Sequence, residues 1–263
     1  MDDLLQRLRP KERRGSKPRC HILTHGPADK VAARLTTLIA PFADISANDR
    51  WMPQGFDETK EAQLHKAPRL LDPKISMQLS TWWLSPKSKN AMTPNWDIAS
   101  TCTIENRQGL LLIEAKAHDE ELNKESAGRV INISSSEDRK ASHETIAAAM
   151  ESARDGFHKA TSLAWRISRD SHYQMSNRFA WSWKLTALGM PVVLVYLGFL
   201  EAEEMGDKGK PFANHSEWEQ LVKSHSSPLV PPEVWNRRWT VNGQPFIPLI
   251  RSLDQPLNPG NKL

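Results

Sequence analysis

Apolar residues recur along this chain at two spacings, and the switches between them mark out its elements. Val31, Ala32, Leu35, Leu38 and Ile39 fall at helical intervals ahead of Pro41, which predicts a helix over 29–39. Asp72-Pro73 joins a capping residue to a proline suited to the first helical position, and predicts a second helix through Ile75, Leu79 and Trp82-Trp83 that stops before Pro86. Between them, 57–65 reads as a short polar helix, and the Lys-, Ser-, Asn- and Pro-rich stretch 85–94 as a surface loop. Residues 96–104 and 110–117 then read as two strands joined by a tight turn. The stretch 117–139 is polar and charged apart from Val130-Ile131-Asn132-Ile133, which is either a short edge strand or part of a loop.

The strongest periodicity follows. Ile146, Met150, Ala153, Phe157, Ala160, Ala164 and Ile167 alternate steps of four and three, forming one stripe on a helix begun near Ser142. Another helix spans about 172–188 and ends at Gly189, and the unbroken apolar run 191–199 predicts a strand covered on both faces. The tail holds a helix around Trp218–Val222, a proline-rich connector at 228–232, and a hairpin signal in Asn242-Gly243 that Pro245 weakens. No repeat or linker interrupts residues 20–263, which read as a single α/β domain.

Composition narrows the class. At 263 residues the chain can bury a sizeable core without staples, and Cys20 and Cys102 lack the paired spacing of a disulfide framework or a Cys-rich zinc site. A reducing cytoplasm fits this cysteine usage, and no stretch approaches the roughly 20 apolar residues of a spanning helix, so no membrane partner is expected. Residues 1–19 hold seven basic and three acidic side chains, an excess equal to the formal +4 of the whole chain. This segment reads either as a flexible basic arm that attracts a phosphate backbone or as a solvated terminus.

The chemical feature lies in the hairpin. Glu114 and Lys116 project from one strand face while Ala115 points away, directly after four aliphatic residues, and charges placed there need compensation. With Asp97 on the neighbouring strand, the order Pro94-x-x-Asp97, then Glu114-x-Lys116, then helices and a buried strand, resembles the PD-(D/E)XK nuclease superfamily over about residues 90–200. The resemblance implies a restriction-endonuclease-like core: a central mixed β-sheet flanked by helices, with helical additions at both ends. It further implies a metal-dependent phosphodiester hydrolase acting on DNA, or failing that RNA. Asp97, Glu114 and the carbonyl of Ala115 would hold Mg²⁺ (or Mn²⁺), and Lys116 would orient or activate the attacking water. The alternatives are a non-catalytic nucleic-acid-binding or assembly protein retaining the fold, and a surface Glu–Lys pair on an unrelated scaffold.

Two departures from the family pattern stand out. The proline is three residues ahead of Asp97, and the first strand of the usual three-stranded meander is not evident. Register also matters: with Arg107-Gln108 as a two-residue loop, Asp97 and Glu114 would be four residues, or about 13 Å, out of line. A loop at Glu105-Asn106, a bulge at Gly109 or strong twist would bring them together.

Further candidates surround the triplet. On the helix after His172, Gln174, Asn177, Arg178 and Trp181 share one side, either as a solvated face or as a nucleic-acid contact. Members similar to this family place a polar residue such as Gln174 beside the metal, which makes it a catalytic candidate. His118 lies two residues beyond Lys116 and either touches substrate or is a strand-end surface residue. Glu61 is either an additional acid from the upstream helix or an exposed helical Glu. Arg237 and Arg238 are weaker candidates for a nucleic-acid grip, and the tryptophans mostly read as packing. Oligomeric state stays open, a homodimer included.

Overall fold

The computed structural model of the chain describes residues 2–85, 93–131 and 135–257. Its centre is a six-stranded mixed sheet. In chain order the strands are β1 (Trp51–Met52), β2 (Ile98–Ile104), β3 (Arg107–Lys116), β4 (Val192–Leu200), β5 (Trp239–Val241) and β6 (Gln244–Asp254). They lie in the order β1-β2-β3-β4-β6-β5. β1, β2 and β3 form an antiparallel meander, so the strand missing from the sequence reading is the two-residue β1, too short to show an alternation. β3, β4 and β6 run parallel, and β5 turns back on β6 at Asn242-Gly243, where both residues have positive φ.

Helices cover both faces. α1 (Asp2–Leu5), α2 (Ser16–Leu23) and α3 (Ala28–Ile39) precede the sheet; α4 (Pro73–Trp83), α5 (Asp119–Asn123), α6 (Glu137–Thr161), α7 (Tyr173–Ala187) and α8 (His215–Ser226) follow β1. The pleat sorts β3 and β4 residues between two cores. Leu110, Leu112, Leu194 and Tyr196 join α4, α6, α7 and α8, whereas Leu111, Ile113, Ala115, Val193 and Val195 join α2 and α3. β4 is buried on both faces, as its unbroken apolar run predicts. Asp72 caps α4 by accepting from the Lys74 amide at 2.7 Å.

Several expectations need correction. The basic N-terminal segment is folded: Arg13 donates to the carbonyls of Leu8 and Gln6, and Arg19, buried in α2, grips both carboxylate oxygens of Glu204 and the carbonyl of Gln255. Residues 57–65 form turns and bridges, with a 3₁₀ turn only at Leu64–Lys66, because Ala62 pairs in extended form with Trp96. α6 ends at Thr161, where Ser162 takes a left-handed conformation, so Ala164 and Ile167 of the predicted stripe lie past the helix. Residues 86–92 of the expected surface loop and 132–134 of the possible edge strand lie outside the described residues; Val130-Ile131 are not strand. Arg238 is exposed and paired with Glu105.

Candidate functional site

The β2–β3 turn sets the geometry. Glu105 and Asn106, at φ 49° and 60°, occupy its two central positions, the signature of a type I′ hairpin turn. That turn pairs Ile104 with Arg107 and, at the far end of the ladder, Ile98 with Ile113. One step further, Asp97 lies opposite Glu114, not four residues away. The Asp97 carboxylate accepts from the Ala115 amide at 2.8 Å, so odd residues of β3 turn their amides toward β2. Leu110, which donates to the Pro191 carbonyl at 2.9 Å, turns its amide toward β4. The ladder itself ends at Ile98–Ile113: beyond it the Ala115 amide bonds the Asp97 side chain, while the Trp96 carbonyl turns to the Ala62 amide. The Ala115 carbonyl leaves the strand on the same side as its amide, toward Asp97.

Glu114 is the hub of the site. One oxygen accepts from Lys116 Nζ at 2.5 Å and Gln174 Nε2 at 2.7 Å; the other accepts from Arg178 Nε at 2.6 Å. Burial alone would raise this carboxyl, but Arg178 and Lys116 outweigh burial and hold it at about 2. Asp97, half-buried, lacks such partners, and desolvation together with the facing charge of Glu114 pushes it up to about 8. Lys116 is buried too, yet Glu114, Glu125 and Asp97 more than offset its desolvation and keep it an ammonium, well above the usual lysine range.

Glu125, which the sequence reading missed, completes the cluster. It follows α5, is only 7% exposed, and ion-pairs with Lys116 through one oxygen. Its second oxygen is buried without a hydrogen-bond partner among the described residues, and burial pushes the group up to about 7. The Tyr196 hydroxyl, whose residue lies beside Glu114 in the parallel ladder, is likewise buried without a partner there. Glu125 sits in a stretch full of charged residues, so spacing alone could not single it out.

The other predicted residues separate. Gln174 and Arg178 reach Glu114, but Arg178 is buried over the Trp96 ring at 4.7 Å and donates to Asn177, also buried. Trp181 is fully buried, its ring 5.7 Å from that of Trp83. This side of α7 faces the sheet and is no nucleic-acid surface. His118 is buried at the start of α5, beyond the strand, so it is not a surface residue on the Lys116 face. Glu61 is not on a helix: the Ala62–Trp96 bridge places it across from Asp97, where it pairs with Lys17 at 3.0 Å and accepts from Asn95 at 3.1 Å.

A cation here would find few protein donors. Among the described residues no cluster of three or more His, Cys, Asp or Glu has metal-binding geometry, so the donors on offer would be Asp97, Glu114 and the Ala115 carbonyl. Mg²⁺ is often held by one or two carboxylates with waters and substrate phosphate completing its shell. A cation there would relieve the carboxylate pair that raises Asp97, but Glu114 would have to share an oxygen now taken by Lys116, Gln174 or Arg178. No family model, curated protein or solved structure matches the chain.

Proposed function

We propose that the chain is a Mg²⁺-dependent phosphodiester hydrolase acting on nucleic acid, DNA ahead of RNA. The observation that carries this reading is the placement of Asp97 directly across from Glu114 with the Lys116 ammonium hydrogen-bonded beside them. Asp97, Glu114 and the Ala115 carbonyl would hold the ion, which when bound supplies a more acidic water and polarises the phosphate. Lys116 is kept protonated by three carboxylates, so its part is to donate to the attacking oxygen and stabilise charge growing on the phosphoryl group, not to remove a proton. Gln174 and Arg178 fix the Glu114 carboxylate. Glu125 pairs with Lys116 as a second carboxylate.

One observation favours a second reading. Both Glu114 oxygens are already satisfied by protein cations and an amide, as in a closed polar network, and a non-catalytic nucleic-acid-binding protein would need nothing more. Incubation with single- and double-stranded DNA and RNA separates the two. Cleavage with Mg²⁺ or Mn²⁺ that stops in EDTA, and is lost in Asp97→Ala and Lys116→Ala while only the former loses metal affinity, supports the hydrolase. Binding without cleavage under every metal condition supports the alternative.

A further inference from the structure

The N-terminal segment, Thr59-Lys60-Glu61 and Asn95 enclose a groove with a volume of about 410 Å³. Its charge is layered. Glu12 and Glu61 form the floor, with side chains 19% and 23% exposed, and Lys17 binds both at 3.2 and 3.0 Å. Lys17 offsets one of these two negative charges. Arg9, 74% exposed and ion-paired with Glu12 at 3.6 Å, stands at the rim with exposed Lys60 and with Arg7, which pairs with Asp57 at 2.9 Å. The lining thus carries four cations, Arg7, Arg9, Lys17 and Lys60, against two anions, Glu12 and Glu61.

This groove adjoins the candidate site. Asn95 donates to Glu61 and accepts from Gln63 at 2.8 Å, and the Ala62–Trp96 bridge carries the groove wall into the strand that presents Asp97. The charge of Glu61 contributes to the environment of Asp97, so the two are electrostatic neighbours. Phosphates are the ligand chemistry such a rim favours. No aromatic ring among the described residues lines the groove, which suits sequence-independent contact with a backbone.

We infer that Arg9, Lys60 and Arg7 form a track for the phosphate backbone of the nucleic-acid strand that enters the site at Asp97. This rests on the hydrolase reading for its substrate class, but binding can be read without cleavage. The folded N-terminal segment thus acts as a built wall of the site, to which it contributes Arg7 and Arg9.

The test uses the full chain in EDTA with labelled oligonucleotides, single-stranded and duplex, titrated by anisotropy across a salt series. Arg9→Ser/Lys60→Ser removes two rim charges without touching the core. The control is Lys159→Ser, exposed beyond Phe157, whose ring packs on Phe246 at the end of the sheet remote from Lys116. Weaker binding in the double variant is expected at every salt concentration. The slope of log affinity against log salt should fall by about 1.4 on a single strand or 1.8 on a duplex, with the control unchanged. Equal affinity and slope in wild type and double variant, or no binding by wild type, overturns the track. Wild-type binding that depends on Arg9 and Lys60 without cleavage in Mg²⁺ upholds the track and removes the hydrolase reading alone.

Discussion

Asp97 stands opposite Glu114, one step past the Ile98–Ile113 pair that ends the β2–β3 ladder, and the two carboxyls titrate at opposite extremes. Glu114 has Lys116, Arg178 and Gln174 around it, whereas Asp97 has one backbone amide and the charge of Glu114. One end of the hairpin thus holds one carboxylate fixed as an anion and one that resists ionisation. Such an arrangement costs stability and is of a kind found at functional sites.

The turn that creates this pairing can be tested on its own. Asn106 sits at φ 60°, where glycine is unstrained and a β-branched residue is not. Asn106→Gly should raise stability by roughly 0.5 kcal/mol, and Asn106→Val should lower it by about 1–2 kcal/mol. Thermal melts would measure both. A valine variant as stable as wild type would show that the type I′ turn does not hold the register.

Particular residues show why some of this was readable in sequence. β4 and α3 announce themselves because burial on two faces or one stripe leaves its mark in consecutive apolar residues. The hairpin was readable, but its register was not, since Glu105-Asn106 and Arg107-Gln108 are both polar pairs and only backbone φ values choose between them. Asn177, Arg178 and Trp181 read as a wet helical face because a buried arginine is recognisable only once its carboxylate partner, Glu114, is brought across from another element. Glu125 and the Lys17–Glu61 pair are invisible for the same reason: their meaning lies in contacts between residues far apart in the chain.

Replacing Asp97 by Asn should separate stability from chemistry. The folded-state value near 8 lies above the usual carboxylate range, so the group's contribution is most favourable below that range and is lost as pH rises through about 8. Asparagine keeps an acceptor for the Ala115 amide and never ionises. The variant should be more stable than wild type by about 1–3 kcal/mol at pH 8–9, with the difference vanishing below about pH 4, while metal affinity and cleavage are lost. Urea denaturation across that pH range, read beside metal titration, checks it; a less stable variant at alkaline pH would contradict the strained carboxyl pair.

Arg178 should matter more to the fold than a helical surface arginine could. Arg178→Leu leaves Glu114 buried with one cation fewer and exposes the Trp96 ring to an altered neighbour, for an expected loss of about 3–5 kcal/mol. The double variant Arg178→Leu/Glu114→Leu removes both charges and should recover part of that loss, the remainder reflecting Lys116, which is left with Glu125. Denaturant midpoints at constant m-value give the coupling. Independent, additive effects would mean that the pair is not the unit its geometry describes.

A histidine pair supplies an acid-side test. The rings of His172 and His225 are 4.6 Å apart, and His225 Nε2 is buried without a hydrogen-bond partner among the described residues. Burial, His172 and the nearby Lys116 depress His225 to about 4. Because its unfolded value is higher, near 6.5, the stabilising contribution is present above that value and is lost as pH falls through about 4. Partial exposure of His225 screens the effect, so its size should be about 1–2 kcal/mol, not the full shift. His225→Leu cannot take up the proton, and its stability should fall less steeply than wild type between pH 6.5 and 4. Parallel pH profiles for the two proteins would place the acid sensitivity elsewhere.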